Sequence, residues 1–217
     1  MKVNIWSDIR CPFCYIGKRK FENALNTFDY KDKVEVVWHS FELDPNLKTQ
    51  PEINIYDFLA DLKGISREQA EEMNNHVSKI AQETGLHFAI EKSVIANSFN
   101  AHRIIQLAKT KGWGGEAEEE MFKAYFSENK NIDDIETLMQ ISLKIGLDAK
   151  EVKNILSGNG FGEEVRKDES LAHSLGIRSV PFFIFNNKYA ISGAQSSEVF
   201  LQALNKSWKE YETGINQ

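Results

Sequence analysis

The sequence predicts an α/β fold in which a long all-helical insert interrupts a smaller framework of strands and helices. Three observations point there. The hydrophobic period changes from strand-like to helical within the first turns of the chain, helical patterns follow one another from about residue 53 to residue 157, and strand patterns return after that. A length of 217 residues suits one large domain or a domain carrying an insertion, either with a substantial core.

Each element follows in order. In "VNIWS", Val3, Ile5 and Ser7 fall on one face and Asn4 and Trp6 on the other, which is a strand. From Pro12 the apolar positions become Cys14, Gly17, Phe21, Leu25 and Phe28, one face of a helix, and proline suits its first turn because no N–H is needed there. Residues 34–41, "VEVVWHSF", are β-branched and aromatic and form a second strand. In the insert, Ser66 with Gln69 forms a capping box ahead of Ala70, Met73, Val77 and Ile80. A stripe through Ala101, Ile104, Ile105 and Ala108 stops at Gly112, and "WGG" at 113–115 separates it from Met121, Phe122, Tyr125 and Phe126. Asp133 and Asp134 open a further helix that Gly146 closes, and Asp148 with Glu151 resembles another capping box. After a helix near 162–175 come the strand "SVPFFIF", a two-residue turn at Asn186-Asn187, the strand "KYAISG" and a last helix at about 197–212. The expected division is 1–50, an inserted helical domain over 51–158, and 159–217.

Composition narrows the function. Net charge is −6 with 41% hydrophobic and 27% charged residues, and no basic patch suggests a nucleic-acid partner. The acidic run Glu116, Glu118, Glu119 and Glu120 reads as a solvated helix face. No segment nears the roughly 18 apolar residues of a membrane span, and the opening residues lack the basic and apolar regions of a signal peptide, so no membrane partner and a cytoplasmic location are expected.

The two cysteines, Cys11 and Cys14, are separated by Pro12 and Phe13 at the junction of the first strand and helix. At a helix start, unsatisfied N–H groups and the helix dipole favour a thiolate, so Cys11 is the expected nucleophile. Cys14, one turn further and on the apolar stripe, is the expected resolving thiol: Cys11 forms a mixed disulfide and Cys14 releases it. A zinc site lacks ligands, since the five histidines are scattered and no other cysteine exists, so no metal and no organic cofactor are expected. Inert core cysteines and a merely structural disulfide are the remaining alternatives. The element order β-α-β, helical insert, α-β-β-α around a Cys-X-X-Cys is that of a thioredoxin-like fold. In that fold a cis-proline loop lies against the cysteines, and Val180-Pro181 stands where it belongs, with Val180 expected to present its backbone to an extended substrate.

The chain resembles the DsbA family of the thioredoxin superfamily and, more narrowly, its cytoplasmic FrnE-like branch. The resemblance rests on "SDIRCPFCYIGKRKFE" (7–22), "FELDPN" (41–46), "NSFNAHRI" (97–104) and "GIRSVPFFIFNNKYAISGAQ" (176–195). It implies a DsbA-like thioredoxin fold with an inserted helical domain and a thiol–disulfide oxidoreductase, exchanging disulfides with protein thiols or glutathione, as a monomer or homodimer. It also implies that Asn97 and His102 rim the site, although for His102 alone a hydrogen-bonded structural histidine is the favoured reading. Phe13 is expected to be exposed beside Cys11, where it could contact substrate, with ordinary helix-start packing as the alternative. Lys18 and Arg19 add positive potential nearby or simply form a solvated helix surface. The same branch includes 2-hydroxychromene-2-carboxylate isomerases and kappa-class glutathione transferases, which typically carry serine at the Cys11 position. A glutathione-dependent isomerase or transferase is therefore the alternative enzyme, and a redox-switched binding or holdase protein the alternative outside catalysis. The Pro-Phe dipeptide, where relatives commonly have Pro-Trp, leaves the chemistry intact and the reduction potential open.

Overall fold

The computed structural model describes residues 1–215, which form two compact units: Met1–Leu43 together with the chain from Arg166 onward, and Asp44–Val165. The joins fall at 43/44 and 165/166, whereas the sequence places them at 50/51 and 158/159. Residues just after Leu43 belong to the helical unit because Gln50 bridges Ile95 and Thr49 bonds Asp133, ties that no local pattern announces.

The first unit is built on a four-stranded sheet. Its elements are β1 (Lys2–Ser7), α1 (Pro12–Asn26), β2 (Glu35–Ser40), β3 (Phe182–Phe185), β4 (Tyr189–Ser192) and α9 (Ser197–Ile215). The strand order is β2-β1-β3-β4, with β1 parallel to β2 and antiparallel to β3, and β3 antiparallel to β4. Ile5 pairs with Trp38 on one side and Phe183 on the other, so β1 is central and fully paired. Asn186 and Asn187 both have positive φ (49° and 55°), the backbone of a tight hairpin turn that asparagine tolerates well.

Alternation along β1 divides its side chains between two cores. Val3 and Ile5 meet Phe21, Phe28, Phe183, Phe185, Phe200, Leu204 and Trp208, which places α1 and α9 on one face. Phe21 touches Phe183, Phe185 and Phe200 in tilted or edge-on pairs. Trp6 faces the other way, with Phe41, Ala172 and Ile177, and Val180 packs against that second cluster.

The helical unit contains α2 (Ile55–Lys63), α3 (Arg67–Glu83), α4 (Phe99–Thr110), α5 (Gly114–Phe126), α6 (Ile135–Lys144) and α7 (Ala149–Ser157). The next helix, α8 (Gly162–Ser174), begins in this unit and runs across the join into the first. Both bonds of the Ser66–Gln69 capping box form. Asp148 caps α7 by accepting from the Glu151 N–H, while the Glu151 carboxylate turns to Lys111 rather than completing a box. Gly114 and Gly115 lie inside α5, so the interruption is confined to residues 111–113. The acidic run departs from a solvated face: Glu118 is fully buried and only Glu116 is exposed. The buried face of α5 runs through Gly114, Ala117, Met121 and Tyr125, and position 118 falls on it.

Candidate active site

The β1–α1 turn delivers the cysteines, and a buried aspartate holds that turn. Asp8 is fully buried at the end of β1. Its backbone carbonyl accepts from Cys11 N–H (3.0 Å), one carboxylate oxygen accepts from Arg10 N–H (3.1 Å) and the other from Leu43 N–H (2.8 Å). The side chain therefore pins the turn that precedes Cys11 to the chain leaving β2. Cys11 itself is the N-cap of α1, in extended conformation (φ −90°, ψ 112°), and Pro12 occupies the first helical position. No side-chain hydrogen bond caps this helix end, and the Cys14 N–H donates to the Cys11 carbonyl at 3.0 Å.

Both cysteines are free thiols. Cys11 is 6% exposed and Cys14 1%, so the first sulfur is the more accessible, though only by a narrow margin. The Cys14 thiol is pushed well above its ordinary range. Burial is the main cause, followed by the hydrogen bond that the Cys14 thiol donates to the Cys11 sulfur and by the charge of Cys11; a backbone hydrogen bond at Asp8 opposes the shift, and the Asp8 charge adds to it. Cys14 thus holds its proton at neutral pH.

The second half of the site comes from the loop before β3. The Val180-Pro181 peptide is cis, as the sequence leads one to expect. The Val180 carbonyl accepts from the Cys11 thiol at 3.7 Å, and the Pro181 carbonyl accepts from Gly193 N–H at 2.9 Å. No hydrogen bond to the Val180 N–H is found among the described residues. Pro181 is seated on α1 at Gly17: a Cβ built there would lie 2.9 Å from Pro181 Cγ, with Ala194 and Phe183 at 3.5 Å. Sequence reasoning placed Gly17 merely on the apolar stripe. A glycine inside an otherwise helical pattern is the signal that something else approaches the backbone.

Of the residues singled out in the sequence, Cys11, Pro12, Phe13, Cys14, Val180 and Pro181 come together in the first unit. Phe13 is 41% exposed beside the two thiols. Asn97 and His102 belong to the helical unit. The Asn97 amide accepts from Phe99 N–H (2.8 Å) and donates to the Leu47 carbonyl (2.9 Å), which anchors the start of α4, and His102 is fully buried on that helix. Lys18 is not on a solvated surface: its side chain is 3% exposed and pairs with Glu22 one turn on, at 2.6 Å, because the inward face of α1 continues past Cys14. Two further residues escaped sequence reasoning. His39 stacks on Trp6 at 4.4 Å, with one ring nitrogen 2.6 Å from Asp168 and the other 3.0 Å from Asn4. Asp168 also accepts from Ser40 N–H and, through its carbonyl, from the Trp6 indole, so one α8 residue fixes the ends of β1 and β2. Among the described residues, no group of three or more His, Cys, Asp or Glu is placed to hold a metal ion.

A sheet of this order, with two helices on one face, a thiol at the N-cap of the first and a cis-proline loop against it, defines a thioredoxin-fold protein with a paired-thiol site. The DSBA-like thioredoxin domain family matches residues 2–205, and the chain belongs to that family. A probable DsbA oxidoreductase from Streptomyces coelicolor is 39% identical, with a TM-score of 0.91 over 97% of this chain and 91% of that one. The uncharacterised protein YwbO of Bacillus subtilis (strain 168) is 28% identical, covering 96% of this chain and 98% of its own length. The cytosolic disulfide reductase DsbM of Pseudomonas aeruginosa, in a structure with GSH, shares the fold at 18% identity, with a TM-score of 0.64 and complete coverage of both chains.

Proposed function

We propose that this protein is a thiol–disulfide oxidoreductase in which Cys11 attacks, Cys14 resolves, and Val180 with Pro181 docks the substrate. The observation that carries the reading is the contact between the Cys11 thiol and the Val180 carbonyl, beside a Val180 N–H that no other group uses among the described residues. An extended substrate segment pairing with that backbone would bring its own sulfur to Cys11. The Cys11 thiolate attacks one substrate sulfur, the substrate disulfide breaks, and one half leaves as a thiolate. Cys14 then loses its proton and attacks the Cys11 sulfur, releasing the second half and leaving Cys11 and Cys14 as a disulfide. Membership of the DsbA-like family and the thiol pair within the chain favour this over glutathione-dependent isomerisation. The neighbouring DsbM structure supports glutathione as one redox partner and a cytoplasmic setting.

The test is the redox equilibrium of the purified protein in glutathione buffers, with the Cys11–Cys14 disulfide followed by mass. A potential of about −120 mV marks a disulfide donor and one of about −270 mV a reductase. The expected companion result is that Cys14→Ser accumulates a mixed disulfide on Cys11, whereas Cys11→Ser forms none. If wild-type protein forms no intramolecular disulfide at any poise, the reading is wrong.

A further inference from the structure

The residue before Cys11 is an arginine that makes no ion pair among the described residues. Arg10 is half-buried, and its Nε and Nη1 are withdrawn from solvent with no hydrogen-bond partner among the described residues. Asp8, two positions before it, is engaged elsewhere. The two Asp8 carboxylate oxygens each take a backbone N–H, from Arg10 itself and from Leu43, so the acid holds the Arg10 backbone while leaving the guanidinium unmatched. An unpaired, partly buried guanidinium is costly, and its planar fork suits a carboxylate or a phosphate, of which the carboxylate is the common anion on small thiol compounds. Arg10 is joined directly to Cys11 and is only part-buried, and its Nη2 is not among the withdrawn atoms.

We infer that Arg10 recognises a carboxylate on the substrate, so that the site favours small carboxylate-bearing disulfides, of the glutathione disulfide class, over uncharged ones. This rests on the exchange reading above. In the favoured reaction the disulfide is reduced to two thiols as the Cys11–Cys14 pair is oxidised, and Arg10 carries no electrons: it holds the anionic end while the sulfurs exchange. Phe13, exposed two positions after Cys11, offers the same molecule an apolar contact.

The experiment compares the second-order rate constants of reduced protein with glutathione disulfide and with bis(2-hydroxyethyl) disulfide, which carries no charge. Wild type, Arg10→Gln and Arg10→Lys are measured at low and high salt, with circular dichroism to check folding. Arg10→Gln is expected to lower the ratio of the two constants about tenfold, the scale of one charge-assisted hydrogen bond, and Arg10→Lys to lower it less. High salt should narrow the wild-type ratio and leave that of Arg10→Gln nearly flat. A ratio that moves less than twofold in Arg10→Gln overturns the inference, including the case in which both constants fall together because Arg10 acts on the Cys11 thiolate. If wild type reduces neither disulfide, it is the exchange reading that fails.

Discussion

Gly17 has no room for a side chain, and that is what lets Pro181 rest on α1 next to the cysteines. Gly17→Ala should cost roughly 1–3 kcal/mol in urea unfolding, the range for an overpacked contact, and should slow mixed-disulfide formation as Pro181 is displaced. A variant neutral in both measurements would show that the neighbours yield freely. Cys14 makes a second prediction at this scale. Because burial and the neighbouring Cys11 raise its pKa well above the ordinary value near 9, the thiol is protonated at neutral pH, and its reactivity must rise with pH. In Cys11→Ala the Cys11 contribution goes but burial remains, so alkylation of Cys14 by iodoacetamide should still be far from its plateau at pH 9. A midpoint at or below pH 8.5 would contradict the buried environment. Neither residue's role was fully legible in the sequence. The spacing of the cysteines was plain, but the seat at Gly17 and the clamp at Asp8 depend on partners that only the folded chain supplies.

Elements were easier to read than contacts because their signals are local. The change of period at Pro12, the Ser66–Gln69 box and the Asn186-Asn187 turn each rest on neighbours within a few positions, and all three form. Glu118 was misread for the converse reason: an acidic residue looks solvated until the helix face it occupies is known. The same contrast of local and distant support predicts two different costs in the helical unit. Ser66→Ala removes a cap and should cost about 1 kcal/mol. Arg103 is 4% exposed and donates to the carbonyls of Ile155, Gly158 and Gly160, so it closes the C-terminal end of α7 from within α4. Arg103→Ala strands those buried carbonyls and should cost roughly 3 kcal/mol or more. Comparing the two variants by chemical denaturation checks the ranking; equal losses would mean that water replaces the guanidinium at little cost.

Across the whole molecule, the sheet unit is assembled from both ends of the chain. Phe200, Leu204 and Trp208 of α9 complete the core begun by Val3, Ile5 and Phe21. Ending the chain at Ser196 should therefore leave that core open, with loss of cooperative unfolding and binding of a hydrophobic dye; a truncated protein that still melts sharply would place the stability elsewhere. The fold class was readable from order alone, since β-α-β, helices, then α-β-β-α leaves few ways to close one sheet, but the pairing of β1 with β3 is a contact across most of the sequence. That pairing also sets a schedule for the chemistry. Cys11 and Cys14 leave the ribosome well before Val180 and Pro181 are made, by roughly ten to thirty seconds at ordinary rates of synthesis. Throughout that interval the nascent chain carries two thiols before the Val180-Pro181 loop exists, so under the proposed docking role any exchange that needs that loop waits until residues 180 and 181 have been made.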